Sequence, residues 1–267
     1  MITKNGQFLA METIDVSNVK SRSLVMCDGE IPGATAIHVT VAQGDAFLLK
    51  ADEKHYNIFI LIEGNCFVNF SDKEMAFSER VTFVPAPEKD MTITAHTDVQ
   101  LVQIVWDITS QDIELRAEYQ TEFPVVEPYA TSIQYVDPNK SEKTISRMMI
   151  PHKIIPRFAI GSVESYGYDL VRPHSHPMLD QFFFSFPENQ MDVIINGEYI
   201  PMAGNEIMPI PLGADHGVEV RGNDHMHYMW IDFLPDNAEG LKRLDASHKP
   251  TGTVRDLEKE DKFRDIR

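Results

Sequence analysis

Short apolar runs separated by polar turn residues are the dominant pattern along the chain. The runs are rich in Val, Ile and Phe, and clear examples lie at 58–62, 66–70, 81–85, 99–106, 181–186, 191–196, 206–211 and 226–233. Between them stand turn residues such as Asn196-Gly197 and Gly204-Asn205. Short β-branched and aromatic runs of this kind predict strands rather than helices. Many such strands at similar spacing predict an all-β fold, either a sandwich or a barrel.

The two halves of the chain resemble each other in the order of these parts. In 58–90 and again in 182–215, a strand pair is followed by a polar turn, another strand, a short hinge and a strand that ends in Pro-x-Pro. When Pro85 is aligned with Pro211, Asp90 falls at the position of His216.

This repeat predicts two units of the same kind, with a linker of mixed character around 109–150 between them. The predicted segments are an N-terminal barrel over 1–130, a C-terminal barrel over 131–248 and a charged tail over 249–267.

Histidines give the clearest chemical signal in the second half. His174 and His176 are separated by one residue, so on a strand both imidazoles project from the same face. Asp180 follows four residues later, and His216 lies just beyond a tight turn at Gly213. A mixed set of nitrogen and oxygen donors favours one divalent transition metal ion, namely Fe, Mn, Ni, Co or Zn.

The spacing of these residues resembles the two conserved motifs of the cupin superfamily. The segments are Gly167-x6-His174-x-His176-x3-Asp180 and Gly204-x6-Pro211-x-Gly213-x2-His216. The resemblance implies a bicupin, in which one chain forms two double-stranded β-helix (jelly-roll) barrels. It also implies that His174, His176 and His216 are metal ligands, together with an acidic residue of the first motif. Because the N-terminal half has no His-x-His and has Asp90 in place of the second-motif histidine, we expect its barrel to lack a metal.

The fourth ligand is open at this stage. Cupins usually carry Glu where this chain has Asp180, whose side chain is one methylene shorter, and some place the acidic ligand one residue later, at Gln181. Pro177 interrupts the preceding strand, so side-chain alternation does not decide between the two. We expect Asp180, with Gln181 or a water molecule as the alternatives.

A metal with three imidazoles and one carboxylate retains open coordination positions and can polarise a carbonyl or hydroxyl oxygen. We therefore predict an isomerase or lyase that acts on a small hydroxy-carbonyl or sugar-acid compound. Glu219, His225 and His227 are the candidates for moving the proton, although the two histidines also fit a position at the surface. A short resemblance of the segment from Gln181 onward to bicupin deoxyuronate isomerases favours the same activity. The alternatives are an Fe(II) dioxygenase and a non-catalytic, metal-dependent small-molecule binding protein.

The composition of the chain argues against some classes of binding partner. The net charge is −17, from 41 acidic and 24 basic side chains, which argues against binding nucleic acid or an anionic membrane surface. The sequence has no apolar run of about 18 residues, no signal-peptide pattern at its N-terminus and only two cysteines, Cys27 and Cys66. We expect a cytoplasmic protein with a small-molecule substrate and, by the resemblance, a homodimer.

Overall fold

The computed structural model describes residues 10–251, and most of their regular structure is β-strand. The predicted all-β class is confirmed. The chain divides into two compact units. Ile14–Tyr129 form the first unit, and the described residues before Ile14 and after Tyr129 form the second. Within the described range, no helix has the length and apolar character required to cross a membrane.

The first unit contains two antiparallel sheets around one apolar core. The elements up to Tyr129 are β1 (Glu12–Thr13), β2 (Arg22–Met26), β3 (Ala34–Val41), β4 (Ala46–Leu49), β5 (His55–Glu63), β6 (Cys66–Asn69), β7 (Glu74–Phe77), β8 (Val81–Val84), β9 (Met91–Ala95), β10 (Val99–Asp107), α1 (Ser110–Tyr119) and β11 (Val125–Pro128). The strand orders are β11-β8-β5-β10-β3-β2 and β4-β9-β6-β7. On β6, buried Cys66 and Val68 alternate with exposed Phe67 and Asn69, as expected for a strand with one face on the core.

The second unit repeats this arrangement around its own apolar core. Its further elements are β12 (Ile133–Val136), β13 (Ile145–Ile150), β14 (Phe158–Tyr166), β15 (Asp169–His174), β16 (Asp180–Ser185), β17 (Gln190–Ile195), β18 (Glu198–Ala203), β19 (Glu206–Ile210), β20 (His216–Val220), β21 (His225–Phe233), α2 (Asn237–Ser247) and β22 (Lys249–Pro250). The strand orders are β1-β19-β16-β21-β14-β13-β12-β22 and β15-β20-β17-β18. The hairpin between β17 and β18 turns at Asn196-Gly197, both with positive φ, which is the turn chemistry a two-residue hairpin requires.

Two short strands at sheet edges give segment boundaries that differ from those expected from the sequence, which were 1–130, 131–248 and 249–267. β1 pairs with β19 through Glu12 and Ile207, so the described residues before Ile14 extend a sheet of the second unit. β22, at the start of the predicted tail, pairs with β12 through Pro250 and Tyr135. The rest of that tail, 252–267, lies outside the described residues. A two-residue strand has no measurable periodicity, so the sequence pattern did not reveal these pairs.

β21 lies in the middle of the larger sheet of the second unit, where it pairs with β14 on one side and with β16 on the other. Met226, Tyr228 and Trp230 belong to the core cluster. Because successive side chains of a strand point to opposite faces, His225 and His227 project from the other face of the sheet.

Gly161 of β14 creates the space for Trp230, its cross-strand partner. A Cβ atom at this glycine would overlap the Trp230 ring and would lie 2.8 Å from the carbonyl oxygen of Arg147. The absence of a side chain here therefore determines how closely the indole packs on the sheet.

The Gly161→Ala variant should lower the free energy of unfolding by about 1–3 kcal/mol, because the added methyl group forces the indole or the backbone to move. Urea denaturation followed by circular dichroism measures this change. Ser162→Ala is the matched control on the next residue, since the buried Ser162 hydroxyl has no hydrogen-bond partner among the described residues. Equal stability of Gly161→Ala and the wild type would contradict the packing argument.

Candidate metal centre

Cross-strand pairing brings the three predicted histidines together. His174 is the last residue of β15, His216 is the first residue of β20, and the two are direct partners in the ladder. His176 follows in the loop that leads to β16. The ring centroids are 4.8 Å apart for His174 and His176, 5.0 Å for His174 and His216, and 5.2 Å for His176 and His216.

Backbone carbonyls determine which ring nitrogens are available to a ligand. Nδ1 of His174 donates to the carbonyl oxygen of Arg172 over 2.7 Å, and Nδ1 of His216 donates to that of Ala214 over 3.1 Å. Each Nε2 then carries the lone pair, which is the usual arrangement for a ligating histidine. One potential ligand nitrogen from each of the three rings lies within 4.8 Å of the others. Two donors that bind one ion at about 2.0–2.1 Å each lie at most about 4.2 Å apart, so the observed separations are close to those of a ligand set.

Burial keeps these imidazoles neutral. It lowers the pKa of His176 to about 2 and that of His216 to about 4. Burial also lowers the pKa of His174. The positive charge that the other two imidazoles would carry contributes to the low pKa of His176. Neutral imidazole is the form that binds a metal, so no proton has to leave at neutral pH.

Gln181, and not Asp180, faces the pocket beside the histidines. On β16 Gln181 pairs with Asp232 and Asp180 pairs with Phe233, so their side chains leave the sheet on opposite faces. Gln181 lines the pocket together with the three histidines, as does Phe183, two residues further along the strand. The expectation that Asp180 faces the histidines is therefore corrected: Gln181 is the candidate that lies beside them, and its role as the fourth ligand stays a prediction.

The residues present fit a divalent cation. Nδ1 of His176 and Oε1 of Gln181 are buried and have no hydrogen-bond partner among the described residues. A buried polar atom without a partner costs about 1–3 kcal/mol, and an ion or its bound water removes this cost at Oε1. Nε2 of Gln181 donates to Oδ1 of Asp232 over 2.6 Å, which orients the amide. Three imidazole nitrogens and an amide oxygen suit a first-row transition metal.

A buried lysine contributes charge to this pocket that the sequence pattern did not reveal. Lys140, between β12 and β13, donates to Oη of Tyr135 over 2.6 Å, and its Nζ lies 3.6 Å from Oδ2 of Asp137. Tyr135 also accepts from Nε1 of Trp230 over 2.8 Å. Burial lowers the pKa of Lys140 to about 8, although Asp137 acts in the opposite direction. Lys140 lies in the segment interpreted as a linker, where no spacing pattern marks it as functional.

The end of α2 and the end of β21 complete the pocket. Arg243, Ser247 and His248 line it from the α2 side, and the His248 ring lies 4.5 Å from the ring of Tyr135. Asp232 lines it from β21. Burial raises the pKa of Asp232 to about 7, against the effect of its hydrogen bond from Gln181. The pocket thus contains the cationic groups Lys140 and Arg243 and the carboxyl groups of Asp137 and Asp232 beside the histidines.

Glu219, His225 and His227 do not line this pocket, so the expectation that they move a proton at the histidines is corrected. Glu219 lies between Val218 and Val220, which face the core, and its carboxylate accepts instead from Arg221 over 2.8 Å. His225 and His227 lie on the outer face of the sheet. The alternative surface position does not describe His227 either, since it is 2% exposed. Strand alternation could have shown that these side chains point away from the pocket only if the registers of β20 and β21 had been known.

In the first unit, the residue aligned with His216 takes part in an ion pair. Asp90, aligned with His216, accepts from Nζ of Lys50 over 2.8 Å and from the backbone nitrogen of Ala51 over 2.9 Å. Over residues 10–251, the side-chain clusters that could hold a metal ion all belong to the second unit.

No protein-family model and no curated protein sequence matches the chain. Solved structures share its fold across both units. A cupin 2 conserved barrel domain protein from Leptotrichia buccalis matches with a TM-score of 0.57 and 12% identity, over 88% of this chain and 100% of its own. An IolB-like protein from Salmonella typhimurium LT2 matches with a TM-score of 0.65 and 12% identity, over 85% and 94%. The oxalate decarboxylase of Lactobacillus farciminis matches with a TM-score of 0.60 and 10% identity, over 85% and 87%.

The chain has the bicupin fold. The identities of 10–12% establish the fold and leave the activity to the residues of the site. In this bicupin the candidate metal centre lies in the second barrel.

Replacement of Gln181 tests the assignment of the fourth ligand. Gln181→Leu should weaken the affinity for Zn(II) or Co(II) by about 10–100-fold, because an oxygen donor beside the histidines is lost. Asp180→Asn, the control on the opposite face of β16, should leave the affinity unchanged. Competition against a chromophoric chelator measures both constants. A loss of affinity confined to Asp180→Asn would restore the original assignment.

Proposed function

We propose that this bicupin is a metal-dependent enzyme of the isomerase or lyase type. Its substrate would be a small hydroxy-carbonyl compound that carries a carboxylate, such as a sugar acid. The observation that carries the proposal is that one pocket combines three neutral imidazoles with the buried cation Lys140 and the carboxyl group of Asp232.

His174, His176 and His216 would hold the metal, with Gln181 beside them. A divalent ion bound there supplies Lewis acidity, which polarises a carbonyl or hydroxyl oxygen and acidifies the neighbouring C–H or O–H bond. The neutral state of the imidazoles supports this assignment, because it leaves their lone pairs available without a preceding proton loss.

Lys140 is the group that we expect to bind the substrate carboxylate. Its ammonium donates to Oη of Tyr135 and pairs with Asp137, and an ammonium has three N–H donors, so one remains for an anionic oxygen. Arg243 lines the same pocket, and its Nε is buried without a hydrogen-bond partner within the described range. Lys140 and Arg243 share the pocket with the carboxyl groups of Asp137 and Asp232, and in a chain with a net charge of −17 these two cations are the groups that would attract a small anion.

Asp232 is the group that we expect to move a proton. Its Oδ1 accepts the hydrogen bond from Gln181, which leaves Oδ2 for a proton taken from, or returned to, the substrate. Phe183, Tyr228 and Trp230 form an apolar wall that limits water at the reacting atoms. We therefore propose Asp232 for the proton-transfer role, in place of Glu219, His225 and His227.

The structural comparison is compatible with chemistry on a small carboxylate. One similar bicupin structure is an oxalate decarboxylase in complex with formate. Because the identity is 10%, this likeness shows that the fold accommodates such chemistry and does not specify the substrate.

Solvent exchange tests the proposed reaction class. The protein loaded with Mn(II), Fe(II) or Zn(II) would be incubated in D2O with a panel of uronic acids and hydroxy-keto acids and with their neutral analogues. We expect deuterium at the carbon next to the carbonyl of a carboxylate-bearing member, without oxygen uptake, as followed by NMR. Oxygen consumption coupled to product would indicate the dioxygenase, and saturable binding without exchange would indicate the binding protein. Both results would contradict the proposal.

The role of Lys140 predicts a selective defect. Lys140→Met should raise KM for a carboxylate substrate by about 10–100-fold, because a charge-assisted hydrogen bond contributes about 1.5–3 kcal/mol. It should alter KM for the neutral analogue much less. Lys143→Met is the control, since Lys143 is exposed and donates to the backbone carbonyl of Tyr166. An equal rise in KM for the carboxylate substrate and for its neutral analogue would show that Lys140 has only a structural role.

A further inference from the structure

A second group of metal-binding side chains lies on the outer face of the second unit's larger sheet. It consists of Glu164 on β14 with His225 and His227 on β21. Glu164 is the cross-strand partner of His227, and Tyr166 is the partner of His225. Since alternate residues of a strand share a face, this register places Glu164 next to both imidazoles.

The carboxylate of Glu164 reaches both rings. Its Oε1 lies 2.9 Å from Nε2 of His225, and its Oε2 lies 3.9 Å from Nε2 of His227. One ligand atom from each of the three residues lies within 4.8 Å of the others. Glu164 and His227 are 4% and 2% exposed, whereas His225 is partly exposed. The group is thus largely removed from water but can be reached from the side of His225.

A further carboxylate orients one of the rings. Nδ1 of His227 donates to Oε1 of Glu188 over 2.5 Å, so its Nε2 faces Glu164. Asn189 Oδ1 accepts from the backbone nitrogen of His227 over 2.8 Å, and the Tyr166 ring stacks on that of His225 with centroids 3.7 Å apart. A carboxylate that accepts from the distal nitrogen of an imidazole is the common support of a zinc-binding histidine.

We propose that Glu164, His225 and His227 form a second metal site, suited to a borderline divalent ion such as Zn(II). Two imidazoles and one carboxylate are a frequent donor set for this ion, with a further position open to water. The site is distinct from the histidine pocket. His227 and Asp232 are five positions apart on an extended strand, a distance of about 16 Å, and their side chains point to opposite faces of β21.

The test counts ions in a protein whose pocket can no longer bind metal. His174→Ala/His176→Ala removes two pocket ligands and should retain one Zn(II) per chain, measured by equilibrium dialysis and elemental analysis. When His225→Gln is added to this double variant, the protein should bind no Zn(II). His96→Gln, which replaces an exposed histidine of the first unit, is the control in the same background and should keep the ion.

Co(II) gives an independent readout, since its visible spectrum reports nitrogen and oxygen donors. The His174→Ala/His176→Ala protein should show a Co(II) spectrum that Glu164→Gln abolishes, while circular dichroism confirms that the fold is intact. Absence of Zn(II) from the pocket-deficient protein, or its retention after His225→Gln, would show that the three residues form only a buried ion-pair network. If the wild type binds one ion per chain and the His174→Ala/His176→Ala protein still binds one, the second site is supported and the metal centre of the proposed function is refuted.

Discussion

The alternation of side chains along β21, fixed by its pairing with β14 and β16, decides which residues enter the pocket and which form the outer cluster. Trp230 and Asp232 project into the barrel, while His225 and His227 project from the opposite face. A shift of the register by one residue would exchange these two sets. The same ladder determines that Gln181, the partner of Asp232, faces the pocket. The Gln181 and Asp232 side of the pocket and the outer cluster are therefore two consequences of one pairing.

The parts of the site that could be predicted are those defined by short-range spacing. His174 and His176 are two residues apart, and His216 follows a tight turn, so two local motifs predicted three residues that the fold brings together. The fourth ligand could not be predicted. Pro177 and the loop around it interrupt the alternation, and only the pairing of β16 with β21 restores it. Lys140 could not be found either, because its place in the pocket depends on tertiary contacts of a segment without a motif.

The fold class followed from composition and turn chemistry, since short β-branched runs have few other ways to bury their apolar faces. Short edge strands such as β1 and β22 carry too few residues to show a pattern, so the unit boundaries required the structure. The pocket also contains two positively charged side chains within an acidic chain. Burial makes Lys140 costly as a cation, and Asp137 and Tyr135 offset part of that cost. A bound carboxylate would offset more, which is why we expect an anionic substrate.

An anomalous-difference map from crystals of protein purified without chelator, recorded on both sides of the absorption edges of the first-row metals, would locate a bound metal and its ligands together. We predict a peak enclosed by the side chains of His174, His176 and His216, with Gln181 as the neighbouring oxygen donor and Asp180 turned away. An ordered pocket without a peak, or a peak bound by Asp180, would contradict this prediction.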